Sequence, residues 1–186
     1  MNHPGNESQS SQQASLRDGT PVVIRVALPE DRAKVVAAFG KLDPGSIYTR
    51  FFSMRKELSP AELDRFGATD FVNFVALAAL VGSGPDETLI GGASYVVLPS
   101  PDGARAAEVA FTIEEDYQGQ GLAGKLMRML VDIARQHGIV RFEAEVLAGN
   151  APMLKVFERS GLPLAKSRED GVTHIVMDLR QANDQR

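Results

Sequence analysis

Three features of the sequence predict an α/β (α+β) domain built on a mixed, mostly antiparallel sheet of about seven strands. Runs of β-branched, apolar or alternating residues recur at 21–28, 71–81, 88–98, 104–113, 140–147 and 172–179, and 163–168 reads as the hairpin partner of the last. Turn chemistry separates several of them: Ser83-Gly84-Pro85-Asp86, then Pro99-Ser100-Pro101-Asp102-Gly103, then Glu169-Asp170-Gly171. Long helical patterns fall after the first, fourth and fifth runs, so the chain cannot be a simple meander throughout. With 186 residues, 44% of them hydrophobic, the chain is long enough for one domain with a substantial core and short for two.

In chain order, residues 1–20 are polar and rich in Ser, Gln and Asn, and are expected to form a disordered tail, because too few apolar side chains offset the entropy of ordering. Residues 21–180 form the single domain, and 181–186 are expected to fray. The β-branched run 21–28 is the first strand. Pro29-Glu30-Asp31 opens a helix whose apolar face carries Val35, Val36 and Phe39. Two short helices follow, one around 46–52 and one beginning at Ser59-Pro60, where Glu62 stands three residues after Ser59 as a capping box. The nearly continuous apolar run 71–81 pairs with 88–98, and 104–113 extends the meander. A helix with Leu122, Leu126, Leu130, Ile133 and Ala134 on one face then carries the chain by a right-handed crossover to 140–147, a parallel neighbour of 104–113. Asn150 caps a further helix, Gly161 ends it, and the last two strands close as a hairpin.

The chemistry concentrates where the strand Glu108-Val109-Ala110-Phe111-Thr112-Ile113 runs through Glu114-Glu115-Asp116-Tyr117 into Gln118-Gly119-Gln120-Gly121-Leu122-Ala123-Gly124. Glycines here allow close backbone approach. The helix that opens beyond them offers unpaired N–H groups and the positive end of its dipole, so phosphate is the natural guest. The spacing Gly119-x-Gly121-x-x-Gly124, with Glu143 or Glu145 downstream, fits a dinucleotide fingerprint, but five residues separate strand from glycines and too little chain follows for further βα units. Gly119-x-x-x-x-Gly124-Lys125 begins like a P-loop, yet Leu126 stands where a hydroxyl must meet Mg²⁺.

Gln118-x-x-Gly121-x-Ala123 resembles the (Arg/Gln)-x-x-Gly-x-(Gly/Ala) diphosphate loop of the GNAT acyltransferase superfamily. Asn150-Ala151-Pro152-Met153, followed by Phe157 and Gly161-Leu162, resembles that family's second signature at the usual distance. The resemblance covers about residues 22–179 and is strongest from 108 to 162, with the acetyltransferase domain of bacterial protein lysine acetyltransferases the most similar group. It implies a twisted sheet flanked by helices on both faces. It also implies acetyl-CoA as acyl donor, held by Phe111, Thr112, Ile113, Gln118, Gly119, Gln120, Gly121, Leu122, Ala123, Gly124, Asn150, Met153 and Phe157.

Acyl transfer to an amine needs the amine neutral, and a free lysine is only about 0.1% neutral near pH 7.4, so a base must take its proton. Glu108 interrupts an otherwise apolar strand, and in similar lysine acetyltransferases a glutamate in this Glu-x-Ala-Phe context is the general base; a glutamate on the solvent face of a strand is the alternative. Tyr48, Arg50 and Phe51 resemble a cluster that borders the acceptor site in these relatives, with core packing of the two aromatics as the alternative. Glu114, Glu115 and Asp116 are expected in solvent or on the acceptor side, where they would attract a basic substrate. One departure is clear: Phe157 stands where many members carry a tyrosine that protonates the leaving thiolate.

The resulting expectation is an acetyl-CoA-dependent N-acetyltransferase acting on a protein lysine. A small-amine acetyltransferase or a silent acyl-CoA-binding sensor are the alternatives. A formal net charge of −4 argues against nucleic acid, no cysteine is present for a thiolate site, and the scattered histidines have no metal-ligand spacing, so no metal is expected. Neither a signal-peptide core nor a membrane-length apolar run occurs, so the chain is expected to be cytoplasmic and free of membrane contact, as a monomer or homodimer.

Overall fold

A computed structural model of the chain describes residues 11–51 and 56–180, apart from the side chains of Tyr48, Thr49 and Phe51. One mixed sheet of eight strands runs through these residues in the order β1-β2-β3-β4-β5-β6-β8-β7, formed by Ser11–Ser15, Pro21–Val26, Phe74–Val81, Thr88–Val97, Ala106–Ile113, Arg141–Leu147, Leu164–Glu169 and Val172–Asp178 for β1 to β8 in chain order. Every neighbouring pair is antiparallel except β5 and β6. That single parallel pair in an antiparallel sheet rules out the dinucleotide-binding architecture. Among the described residues five α-helices accompany the sheet: α1 (Arg32–Lys41), α2 (Pro44–Phe51), α3 (Pro60–Phe66), α4 (Leu122–Gln136) and α5 (Ala151–Glu158).

β3 is apolar throughout because both of its faces are covered. Val75, Leu77 and Ala79 point into the larger core with Leu122, Leu126 and Leu130 of α4, whereas Ala76, Ala78 and Leu80 join Val35 of α1 on the other side, with Leu63 and Phe66 of α3 packed against them. The predicted stripe of α4 is fully buried: Leu122, Leu126, Leu130, Ile133 and Ala134 all lie inside, and the helix crosses β3, β4 and β5. α5 joins the same face through Met153, Leu154, Val156 and the buried Phe157. The Ser59–Glu62 capping box forms in both directions, and Asn150 Oδ1 accepts from the Met153 N–H at 3.3 Å. His137 caps the end of α4, its Nδ1 2.9 Å from the Ile133 carbonyl and its ring stacked on Phe71.

The sequence expectation is corrected at the N-terminal side. Residues 11–20 are not a disordered tail: Ser11–Ser15 adds an eighth strand, antiparallel to β2, and Leu16 behind it is buried in the main core. A polar strand at the sheet edge is held by its backbone ladder and shows no apolar alternation, so periodicity misses it. β3 starts at Phe74 rather than residue 71, because the Asp70 carboxylate accepts from the N–H groups of Val72, Asn73 and Phe74 and holds a turn there. The expectations for residues 1–10 and 181–186 fall outside the described residues. Among the described residues, no helix is long and apolar enough to cross a membrane.

Candidate active site

β5 and β6 pair only from Ala106–Glu108 to Arg141–Glu143; beyond Glu108 the strands part, and β6 continues beside β8 alone. The backbone of residues 109–113 therefore lacks a ladder on its β6 side, the same condition that lets a sheet edge recruit an extended, amide-bearing ligand. The wedge opens into a cleft of about 1040 Å³ lined by β5, β6, the 117–121 loop, α4 and α5. That volume suits a long, flexible ligand.

At one end of the cleft lies the phosphate-type loop. Gly119 (φ 73°) and Gly121 (φ 85°) both adopt the left-handed conformation, and Gly121 is the N-cap of α4. A side chain at either position would strain the turn that aims the helix N-terminus into the cleft. Gln118 Nε2 donates to the Ile113 carbonyl at 3.0 Å and approaches Ser46 Oγ at 3.5 Å, fastening the loop to the end of β5 and to α2. The Gln120 side chain is held by the N-terminal segment, its Oε1 accepting the Asp18 N–H at 3.1 Å. Leu122 is buried in the core, while Ala123 and Gly124 are partly exposed on the first turn of α4 and line the cleft.

The middle of the cleft is aromatic. Phe157 is 1% exposed, and its ring meets Phe111 edge to face at 5.8 Å. Phe111, Thr112, Ile113, Asn150, Met153 and Phe157 all line the same cavity. Glu108 stands at the other end, on the exposed face where the strands begin to part, with Glu143 its register partner on β6. Glu143 also accepts from Arg141 Nε at 3.0 Å and lies 3.8 Å from His174 Nε2. Glu108 thus sits on a surface of the sheet that, among the described residues, α1 and α3 leave uncovered, since their core involves β3 and β4.

The structure brings Glu108 and every expected donor-site residue to one cleft. On the acceptor side it is less complete: Ser46 and Arg50 of α2 line the cleft, but the side chains of Tyr48 and Phe51 lie outside the described structure. Glu115 of the acidic turn accepts from the Asp43 N–H at 3.1 Å beside α2, and Asp116 is exposed. Sequence reasoning missed Ser15, Leu16 and Arg17, which also line the cleft. They fall in the polar segment expected to be a disordered tail, where no apolar period marks a strand.

Comparison with known proteins gives a consistent picture. The sequence model of the Acetyltransferase (GNAT) family matches residues 46–162. The chain is 35% identical over 139 residues to an acetyltransferase of Pseudomonas aeruginosa, covering 75% of this chain and 73% of that protein. It is 33% identical over 147 residues to the acetyltransferase Pat of Mycolicibacterium smegmatis, covering 78% of this chain but only 42% of that longer protein. Among solved structures, the GNAT domain of S. lividans PAT superposes with a TM-score of 0.82 at 34% identity, covering 95% of this chain and 99% of that one. The fold is shared at 21% identity and a TM-score of 0.67 by yncA, a putative acetyltransferase from Salmonella typhimurium solved with acetyl-CoA, over 87% of this chain and 96% of that one.

Proposed function

The chain belongs to the acetyltransferase (GNAT) family of acetyl-CoA-dependent N-acyltransferases, and from that premise we propose that its acceptor is the side-chain amine of a protein lysine. The observation that carries this reading is the placement of Glu108: it lines the mouth of the donor cleft and is exposed there, with no enclosing wall over it among the described residues. An open face admits a lysine that remains attached to a folded protein, whereas a small amine needs walls to hold it. Similarity to Pat and to the PAT domain supports the same choice.

Acetyl-CoA supplies an activated thioester carbonyl. Glu108 takes the proton from the incoming ammonium, directly or through water, which its exposure permits. A backbone N–H of residues 109–113, left without a β6 partner, donates to the carbonyl oxygen as charge grows there. Backbone N–H groups of residues 119–124 and the N-terminus of α4 hold the diphosphate. Asn150 lines the cleft with Oδ1 committed to its helix cap, which leaves its amide N–H₂ as the group for the pantetheine arm. Phe157 shapes the apolar wall and cannot donate a proton, so water protonates the departing thiolate, which is already a moderately stable anion.

The test is incubation with isotope-labelled acetyl-CoA and a mixed pool of bacterial proteins alongside polyamines and aminoglycosides, with products read by mass spectrometry. Label on lysine side chains that requires Glu108 supports the proposal. Label confined to small amines overturns it.

A further inference from the structure

The segment at residues 11–20 does more than extend the sheet: it is hydrogen-bonded to the phosphate-type loop. The Arg17 N–H donates to the Gln120 carbonyl at 3.1 Å, Arg17 Nη1 donates to the Gly119 carbonyl at 2.9 Å, and the Asp18 N–H binds the Gln120 side chain at 3.1 Å. The segment is itself firmly built. β1 pairs with β2 along all five residues, Leu16 is 3% exposed, and the turn closes through Leu16 N–H to Thr20 O at 2.9 Å and Thr20 N–H to Asp18 Oδ1 at 2.9 Å.

This arrangement fixes which way the amides of the loop face. In a trans peptide the C=O and N–H of one unit point in opposite directions, and no cis bond occurs among the described residues. With the Gly119 and Gln120 carbonyls held toward the strap, the N–H groups of Gln120 and Gly121 must point away from it, which builds a two-donor nest at the mouth of α4. The guanidinium that holds one of those carbonyls also has further donors. Arginine carries five N–H groups in a planar fork, Arg17 is exposed and lines the cleft, and its Nε lies 3.8 Å from the place a Gly121 Cβ would occupy. Its Nη1 bond to the Gly119 carbonyl nonetheless puts the guanidinium on the carbonyl side of the loop, opposite to the Gln120 and Gly121 N–H groups.

Resting on the assignment of residues 118–124 as the diphosphate loop, we propose that Arg17 is a positioning residue of the acyl-CoA site: the strap carrying it holds the Gly119 and Gln120 carbonyls and so sets the loop's N–H groups toward the diphosphate. Lys125 and Arg128 line the same cleft from α4, so positive charge for a phosphate is available on the helix side while Arg17 fastens the loop from the strap side.

The test is calorimetric titration of the full chain with acetyl-CoA, with acetyl-dephospho-CoA, which lacks only the 3′-phosphate, and with acetyl-pantetheine, which lacks all phosphates. Arg17→Ala is expected to weaken the first two ligands about tenfold and acetyl-pantetheine by less than about twofold, with Arg17→Lys recovering part of the loss. Equal weakening of all three ligands would mean the strap only supports the fold. Weakening confined to acetyl-CoA would move Arg17 to the 3′-phosphate, and no weakening would remove it from the site; each result overturns the proposal. Gly121→Val, which strains the left-handed N-cap, separates the premise from the proposal. If Gly121→Val weakens acetyl-CoA and Arg17→Ala does not, the Arg17 assignment alone fails. If neither does, the loop assignment itself fails. Melting temperatures of the variants confirm that they fold, and Arg17→Lys keeps the test open should Arg17→Ala not.

Discussion

Replacing Glu108 with glutamine removes one carboxylate and almost no volume. Glu108 is exposed at the last register pair between β5 and β6, so the change should alter stability by less than about 0.5 kcal/mol. The kinetic effect should be far larger. At pH 7.4 only about one lysine in a thousand is neutral, and a positioned general base contributes roughly 10²- to 10⁴-fold, so kcat should fall at least about 100-fold. The Michaelis constant for acetyl-CoA should stay within about twofold, because the diphosphate loop lies at the other end of the cleft. The deficit should also depend on pH: each unit of increase supplies about tenfold more neutral lysine without help, so the variant should close on the wild type between about pH 8 and 10. Thiol release at saturating acetyl-CoA, with a lysine-bearing acceptor and a pH series, reads all three quantities. A loss below about fivefold at pH 7.4, or a deficit independent of pH, would remove Glu108 from the base role.

Three further outcomes follow from the packing. Asp31 is 1% exposed; burial pushes its carboxyl up, but two hydrogen bonds from Arg25 at 2.7 and 2.8 Å, one from the Leu28 N–H, and the charges of Arg25 and Lys34 outweigh that and hold it below the usual carboxylate range. A depressed folded-state pKa stabilises above the unfolded value and loses that contribution as pH falls through the folded one. Asp31→Asn should therefore cost about 3 kcal/mol at pH 7, with the gap to wild type narrowing below about pH 4 in melting curves. Leu126→Ala, at a site of 0% exposure between α4 and the sheet, should cost about 3 kcal/mol, and acetyl-CoA at about 100 times its dissociation constant should restore nearly that much in a thermal-shift series. Phe157→Tyr should lower stability by about 1–2 kcal/mol, because a hydroxyl enters a buried aromatic contact, and change kcat less than about threefold; a large gain in kcat would show that protonation of the departing thiolate limits turnover.

Six of the eight strands and the stripe of α4 were legible from an apolar pattern suited to their element, and β7, a mostly exposed Leu-Ala-Lys-Ser-Arg-Glu, from the Glu169-Asp170-Gly171 turn that joins it to β8. β3 is the clearest case: its unbroken apolar run records burial on both faces, and the turn after it resolved strand from helix. β1 was not legible, since Ser-Gln-Gln-Ala-Ser contributes backbone hydrogen bonds and almost no burial. Missing β1 meant missing Arg17, whose relation to Gly119 spans 102 positions and leaves no local trace. The donor loop was readable because glycine at 119 and 121 answers a local backbone demand. The parting of β5 from β6 after Glu108 was not, because where a ladder ends is decided by register and twist rather than by residue type.

The central claim is that the cleft between β5, β6, α4 and α5 holds acetyl-CoA with its diphosphate on residues 119–124. Backbone amide shifts of the labelled protein during titration with acetyl-CoA test it most directly. The largest shifts are expected at Gly119, Gly121 and Gly124, smaller ones along residues 109–113 and at Asn150, and almost none in β7. Saturable binding that leaves the amides of 119–124 unmoved would contradict it.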